Sequence, residues 1–430
     1  MLDIKLFRES PDVVRKNLEK RGDKEKLKWV DEVIELDKHW RETLKQAENL
    51  RHRRNVVTEE IAKLKRENKS ITAHIKEMKH IPEKIKVLEE RQEKLRQQLD
   101  FYLMRMPNLL HESVPVGKDD TQNVEVRKVG TPSKFDFTPK NHLDILLGLQ
   151  LINQERANKI AGHGFYFFRK ELVLLDFALQ KYAMDFLVKK GYFLVNPPYM
   201  MRKGAYEGVT DFAFFHDQIY KIEGEDLYLI ATSEHPMAAM FMDEVLDKNK
   251  LPMKFVGVSP CFRKEVGAHG KYTKGLFRMH QFNKVEQFVF CMPEQSWQLH
   301  EELQKNSEEL YKNLGLPFRT VNVCTGEIGD IAAKKYDIEL WMADGQYREA
   351  GSNSNCTDYQ ARRLNIKYRE KEGLPPAGYV HTLNSTAIAT SRTLIAILEA
   401  YQQKDGSVKI PKVLVPYMGG IKELRPPVKK

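Results

Sequence analysis

The sequence predicts an α+β protein in which a long antiparallel α-helical coiled-coil arm precedes a larger mixed region. Three observations carry that expectation. Residues 28–105 contain almost no Gly or Pro, and apolar side chains recur there at alternating three- and four-residue steps. The turn-compatible run Asn68-Lys69-Ser70 interrupts that seam near its middle. Beyond about residue 132 the texture changes to capped helical segments interspersed with short β-rich runs.

The first arm helix would carry Val33, Leu36, Trp40, Leu44, Ala47, Val57, Ile61 and Leu64 on one stripe. The second would carry Ile81, Ile85, Leu88, Leu95, Leu99 and Tyr102. At ~1.5 Å per residue, such helices project roughly 50–60 Å, with the turn at the far end. The formal net charge of the chain is +10, and its location matters more than its size. Met1 to Leu110 holds 27 Lys plus Arg against 21 Asp plus Glu. Arg51 to Lys86 alone holds 11 basic and 5 acidic residues, so the whole N-terminal excess surrounds the turn. A basic tip is the electrostatic footprint of a polyanion partner. A solvated helical face and a dimerisation coiled coil are the alternatives.

The expected organisation is an arm over 1–112, a linker over 113–132 containing Pro115, Gly117, Asp119 and Asp120, and a mixed domain over 133–430. Strands are expected at 191–195, 227–230, 282–290 and 321–323. Phe255-Val-Gly-Val258 and Gln287-Phe-Val-Phe290 would be antiparallel partners joined by a long loop containing the Gly-rich stretch 267–275.

No run of 18 apolar residues and no signal-like start is present, so neither a membrane span nor a targeting segment is expected. Cys261, Cys291, Cys324 and Cys356 are widely spaced and form no C-x-x-C pair. That usage fits a reducing cytoplasm and predicts neither a disulfide framework nor zinc. The phosphate loops G-x-x-x-x-G-K-[ST] and G-x-G-x-x-G are missing, as is H-E-x-x-H. A nucleotide would therefore have to be held by side chains, chiefly arginines, and a metal.

Candidates for that work follow one another closely. Phe262-Arg263-Lys264-Glu265 closes a strand, a Gly-containing loop follows, and then comes Leu276-Phe-Arg278-Met-His280-Gln-Phe282-Asn-Lys-Val-Glu286. Strand alternation places Phe282, Lys284 and Glu286 on one face, an aromatic platform beside an acceptor carboxylate. The run 261–286 resembles motif 2 of class II aminoacyl-tRNA synthetases and is most similar to the seryl enzymes, which read F-R-x-E-x-G, a variable loop, then G-x-x-R-x-H-Q-F-x-K-x-E. Residues 177–198, ending Gly191-Tyr-Phe-Leu-Val-Asn-Pro197-Pro198, look like motif 1, and 383–399, centred on Arg392, resemble motif 3. Tyr336-Asp-Ile-Glu-Leu-Trp341 and 347–363 look like seryl-enzyme signatures. The resemblance covers essentially the whole chain.

The resemblance implies a class II synthetase catalytic domain, an antiparallel β-sheet flanked by helices, whose substrates are ATP, L-serine and tRNA(Ser) with a long variable arm. It implies ATP contacts from Arg263, Lys264, Glu265, Met279, Phe282, Glu349, Ala350, Gly351, Ser352 and Arg392. Arg263 would meet the α-phosphate, Phe282 would stack on adenine, and Arg392 would sit at the γ-phosphate. Mg²⁺ would be held by Glu349 and Ser352. Arg263, Glu349 and Arg392 would be the catalytic groups, and no protein nucleophile is needed. Serine would be read by Thr232, Ser233, Glu234, Arg263, Glu286 and Thr386, with Asn384 and Ser385 alongside. Glu286 would accept from the hydroxyl and Glu234 would pair with the ammonium group. A helix N-terminal acid is the alternative reading of Glu234.

Ser233, the Asn384-Ser385-Thr386 run, Gly351 and Asn353 depart from the family's commonest residues, which bears on the fine shape of the pockets. Motif 1 implies a homodimer. The arm's resemblance implies tRNA binding mostly through backbone contacts, with Arg51, Arg54, Lys63, Lys65, Lys69 and Lys76 as candidates. Whether tRNA(Sec) is a second acceptor is left open by the sequence. Two rivals, an adenylating enzyme that loads another carrier and a non-catalytic relative, fit less well. The first lacks use for a basic-tipped arm, and the second tends to lose the motif arginines.

Overall fold

The structure, a computed structural model, describes residues 1–265 and 275–427. Most of the expected Gly-rich loop, including His269, lies outside the described residues. Two compact units follow one another, Met1–Leu109 and Leu110–Lys430.

The first unit is entirely helical: α1 (Ile4–Glu9), α2 (Pro11–Arg21), α3 (Lys24–Arg66) and α4 (Thr72–Leu103). The 43 residues of α3 amount to about 65 Å at 1.5 Å each. The helix ends where the sequence breaks its seam. Asn68 takes the left-handed conformation, φ 51°, that Asn tolerates better than most residues. α4 then returns along α3. The apolar stripes do what their spacing requires: Val33, Ala47, Val57, Ile81, Ile85 and Leu99 are buried.

The first 23 residues, for which no element was expected, supply α1 and α2, which pack on α3. One buried charge helps fix them. Asp37 on α3 accepts from Arg8 on α1 at 2.6 and 2.8 Å and from Arg41 at 2.8 Å. Burial opposes its ionisation, but the hydrogen bonds from Arg8 and Arg41 outweigh it and hold the carboxyl below its ordinary range. Around the turn, Arg54, Lys63, Lys65, Lys69 and Lys76 are exposed and Arg51 partly so. Arg51 pairs with Glu89 and Lys69 with Glu67, each at 2.7 Å. Such exposed pairs contribute about 0–1 kcal/mol and leave the cations available to a partner.

The second unit is built on one sheet of eight strands: β1 (Val124–Val129), β2 (Phe193–Val195), β3 (Met253–Phe262), β4 (Gln281–Cys291), β5 (Phe318–Asn322), β6 (Lys334–Trp341), β7 (Tyr347–Thr357) and β8 (His381–Ala389). Their order is β1-β5-β6-β7-β8-β4-β3-β2. Every pairing is antiparallel except the β2–β3 edge, which is parallel. The stretch 113–132 is therefore more than the linker it was expected to be. It delivers β1, whose Val124–Val129 pairs with Phe318–Asn322.

β4 shows how the sheet is covered. From Lys284 to Cys291 every residue is buried, so the strand is packed on both faces. Val285, Val289 and Cys291 join a core shared with α6 (Glu171–Lys189), α8 (Ser296–Asn313) and α9 (Thr390–Ala400). α5 (His142–Gly148) packs into the same core, through Ile145 and Leu146. Phe288 and Phe290 face the second core, with Met237 and Ala238 of the short helix α7 (Glu234–Ala238). Lys284 and Glu286 are on that second face, at the end the aromatics leave open. No described helix is long and apolar enough to cross a membrane.

Candidate active site

One cleft of about 450 Å³ opens over that end of the sheet. Arg263, Glu286, Glu349 and Arg392 all line it, three from β4, β7 and α9 and Arg263 from the segment that follows β3. Thr232, Glu234, Glu265, Met279, Phe282, Ala350, Gly351, Ser352, Asn384 and Thr386 line it too. Three expected residues do not: Ser233 is fully buried beside the cleft, Ser385 bonds to Ser307 on the far face, and Lys264 directs its ammonium toward the Tyr220 ring, 5.8 Å away.

At one end, cations meet aromatic rings. Arg263 follows β3, and its Nε donates to the Ala231 carbonyl at 3.3 Å. Its guanidinium carbon lies 5.3 Å from the Phe282 ring centroid. Arg392, in the first turn of α9, donates through Nη1 to the Glu349 carbonyl at 2.8 Å and lies 3.4 Å from its Oε1. Phe277 underlies that guanidinium at 4.9 Å. At the mouth, Arg278 and Glu265 close a 2.8 Å ion pair. Two planar forks beside an aromatic face suit a polyphosphate attached to a base.

A β-bulge shapes the next part of the site. In a regular strand Glu349 and Ser352 would point to opposite faces. Here Glu339 pairs with Glu349 and Ile338 with Gly351, so Ala350 is the extra residue. The bulge brings both side chains to one side, with Ser352 Oγ 3.5 Å from Glu349 Oε1. Gly351 is needed in its place, because a Cβ there would come within 2.7 Å of Thr386 Cβ. Burial opposes ionisation of Glu349, but Arg392, Lys335 and Arg263 outweigh it and hold the carboxyl below its usual range. Asp337, paired in register with Ser352, is buried, and its Oδ1 has no hydrogen-bond partner among the described residues. Burial, reinforced by Glu349 against Lys335, pushes it up to about 6. Glu349 and Ser352 on one side of the strand, with the unpartnered Asp337 oxygen on the neighbouring strand, offer hard oxygens of the kind a divalent cation takes.

The other end is a small, closed pocket. Glu286 is 1% exposed, with Lys284 Nζ 2.8 Å from its Oε2. Thr386 sits opposite it on β8 and also hydrogen-bonds it. Glu234 enters from α7. Burial and the charge of Glu286 push its carboxyl up to about 7, against the pull of Lys284, Gln360 and Arg263. Glu286 is raised as well, chiefly by burial. The loop before α7 is held by the buried Tyr206, whose hydroxyl donates to the Leu229 carbonyl and accepts from the Ala231 amide, each at 3.1 Å. His235 stays neutral, pushed down to about 3 by burial, and meets the same hydroxyl at 3.2 Å. A buried carboxylate with a hydroxyl beside it, and a second carboxylate near enough to feel its charge, can take a small ligand bearing both O–H and N–H donors.

Comparison with known proteins agrees with that chemistry. Residues 1–110 match the seryl-tRNA synthetase N-terminal domain, and residues 218–401 match the tRNA synthetase class II core domain (G, H, P, S and T). A serine–tRNA ligase of Methanocella arvoryzae is 55% identical over 425 residues, spanning 99% of this chain and 100% of its own. The chain belongs to the seryl-tRNA synthetase family. Two solved members share its fold. The seryl-tRNA synthetase of Pyrococcus horikoshii, complexed with ATP, superposes with TM-score 0.94 at 49% identity, covering 99% of this chain and 100% of that one. The cytoplasmic serine–tRNA ligase of Naegleria fowleri, in complex with AMP, gives 0.89 at 37%, covering 99% of each. This is the family to which the sequence motifs pointed. Sequence reasoning assigned no role to Lys284, Asp337, Lys335 or Tyr206. Lys284 had the one available signal, its alternation with Phe282 and Glu286.

Proposed function

We propose that this chain is a serine–tRNA ligase that activates L-serine with ATP and transfers it to tRNA(Ser). The observation that carries the reading is the single cleft shared by Arg263, Glu286, Glu349 and Arg392. A serine carboxylate oxygen attacks the α-phosphorus, the bond to the β-phosphate oxygen breaks, and pyrophosphate leaves with the electron pair. The terminal ribose hydroxyl of the tRNA then attacks the seryl carbonyl, and AMP departs. Arg263 stabilises charge that develops on the α-phosphate, Arg392 holds the γ end, and Phe282 supports the adenine. Glu349 and Ser352 would hold Mg²⁺, which supplies charge neutralisation at the phosphate oxygens when bound. Glu286 and Thr386 read the serine hydroxyl, and Glu234 pairs with the ammonium group.

Pyrophosphate exchange across an amino-acid panel tests the reading. Serine is expected to support exchange, with alanine and glycine weaker by about 10⁴-fold, because they leave the buried carboxylate without its donor. Activation of threonine or alanine in place of serine overturns the assignment.

The Glu234 environment adds a pH expectation. Its raised carboxyl must be ionised to attract the ammonium group, so the binding form predominates above about 7. At saturating ATP, kcat/KM for serine should fall about tenfold per pH unit below that value. In Glu286→Gln the repulsion is gone, so whatever activity remains should show its acid limb at lower pH. An unshifted limb would assign the titration to another group.

Phe177, Phe193 and Leu194 of the motif 1 region, with Leu174 one turn earlier on the same helix α6, are between 47% and 69% exposed. So much apolar surface on one helix and strand supports the homodimer reading. The basic turn of the arm would carry the tRNA contacts.

A further inference from the structure

His142 lies outside every motif, and nothing in the reaction above uses it. It is 7% exposed and sits at the start of α5. Its backbone amide donates to Glu399 Oε1 at 2.9 Å, and its ring Nδ1 lies 3.1 Å from the same oxygen. Glu399 is near the far end of α9, and its second oxygen accepts from the Ala343 amide at 2.8 Å. On the other side of the ring, the Leu276 amide donates to Nε2 at 3.2 Å. A backbone N–H can only donate, so Nε2 is the acceptor and Nδ1 carries the proton toward Glu399.

This bridge ends at a sensitive place. Gly275 and Leu276 open the short turn Gly275–Phe277 that leads into β4. Gly275 is held so close to the ring, at φ 71°, that a Cβ there would fall 2.2 Å from Nε2. The next residue, Phe277, is the ring beneath Arg392, and Arg278 makes the ion pair with Glu265. α9 is thus engaged at both ends. Glu399 holds His142, His142 holds the Leu276 amide, and Phe277 then supports Arg392 in the first turn of the same helix.

We infer that His142 is a positioning residue for ATP: by accepting from the Leu276 amide while bound to Glu399, it sets the returning end of the loop beneath the phosphate-binding Arg392. The inference rests on the reading of this cleft as the ATP site.

Two isosteric amides separate its two bonds. In His142→Asn the amide reaches the Nδ1 position and keeps Glu399, but nothing reaches Leu276. In His142→Gln an oxygen reaches the Nε2 position and can accept from Leu276. We expect His142→Asn to weaken ATP about tenfold, in KM for exchange and in Kd by calorimetry, since a buried amide loses its acceptor. His142→Gln should stay within about threefold of the parent, and KM for serine should move less than twofold in both. Equal ATP loss in the two variants, unchanged ATP affinity in His142→Asn, or a parallel rise in the serine and ATP constants would each overturn the inference. If His142→Asn fails to fold, Glu399→Gln takes its place: its NH2 must face an N–H of either His142 or Ala343, which loosens the anchor on His142, so a fall in ATP affinity is expected and parental ATP affinity overturns the inference. Failure of the ATP-site reading looks different: the parent itself would not bind ATP, or Arg392→Ala would leave its ATP affinity unchanged.

Discussion

Arg263→Ala is expected to lower serine-dependent pyrophosphate exchange by about 10³-fold, the cost of removing one aligned donor from a developing oxyanion. The guanidinium sits where only a charged fork is useful. It is half-buried, its Nε is committed to the Ala231 carbonyl, and the planar head is left facing the cleft near Phe282. Lysine should recover little of the loss. It is a point charge on a flexible stem and cannot hold two oxygens in one plane. Folding should change only modestly, because a 3.3 Å hydrogen bond from a charged donor to one carbonyl contributes about 1–3 kcal/mol. The measurement is exchange kcat at saturating serine, with a melting curve as control. A variant within tenfold of the parent would remove Arg263 from the chemistry.

How far these roles were legible in advance depended on the range of the forces involved. The arm was legible because its information is local. A seam repeating every three and four residues and broken at Asn68-Lys69-Ser70 fixes two helices and a turn without reference to the rest of the chain. The β3–β4 hairpin was legible for a similar reason, since the apolar runs 255–258 and 287–290 flank a Gly-rich stretch. β7 was not. Tyr347–Thr357 reads Tyr-Arg-Glu-Ala-Gly-Ser-Asn-Ser-Asn-Cys-Thr, which no hydrophobic pattern marks as a central strand. It is buried because its polar groups find partners far away. Asn353 donates to the His300 carbonyl on α8 at 2.9 Å and to Gln304 at 3.2 Å.

Site residues divide along the same line. Arg263, Glu286, Glu349 and Arg392 stand in strings that carry a resemblance, and they were named from it. Asp337, Tyr206 and His142 matter through contacts with residues 15, 29 and more than 130 positions away, as with Ser352, His235 and Leu276. No local pattern encodes such pairs. The α1–α2 pair was missed because short helices owe their stability to what they pack on, here α3 through Asp37.

Replacing residues 50–87 with a short turn is expected to leave serine-dependent exchange within about twofold of the parent and to lower tRNA charging by 10²-fold or more. The first half of that expectation follows from organisation. The cleft and both cores around it are built from residues of the second unit alone. The cut also spares Asp37, Arg8 and Arg41, so the base of the first unit keeps its buried ion cluster. The second half follows from charge. The excised segment holds all six candidate cations and the whole excess of basic over acidic residues in the N-terminal region. Contacts to phosphates release counterions, so the parent's log KM for tRNA should rise with log salt by about 0.7–0.9 per contact. The shortened protein should lose most of that slope along with its affinity. Loss of exchange in the same variant would make the arm a support of the catalytic unit. Charging that survives with the salt slope intact would move the tRNA contacts to another surface.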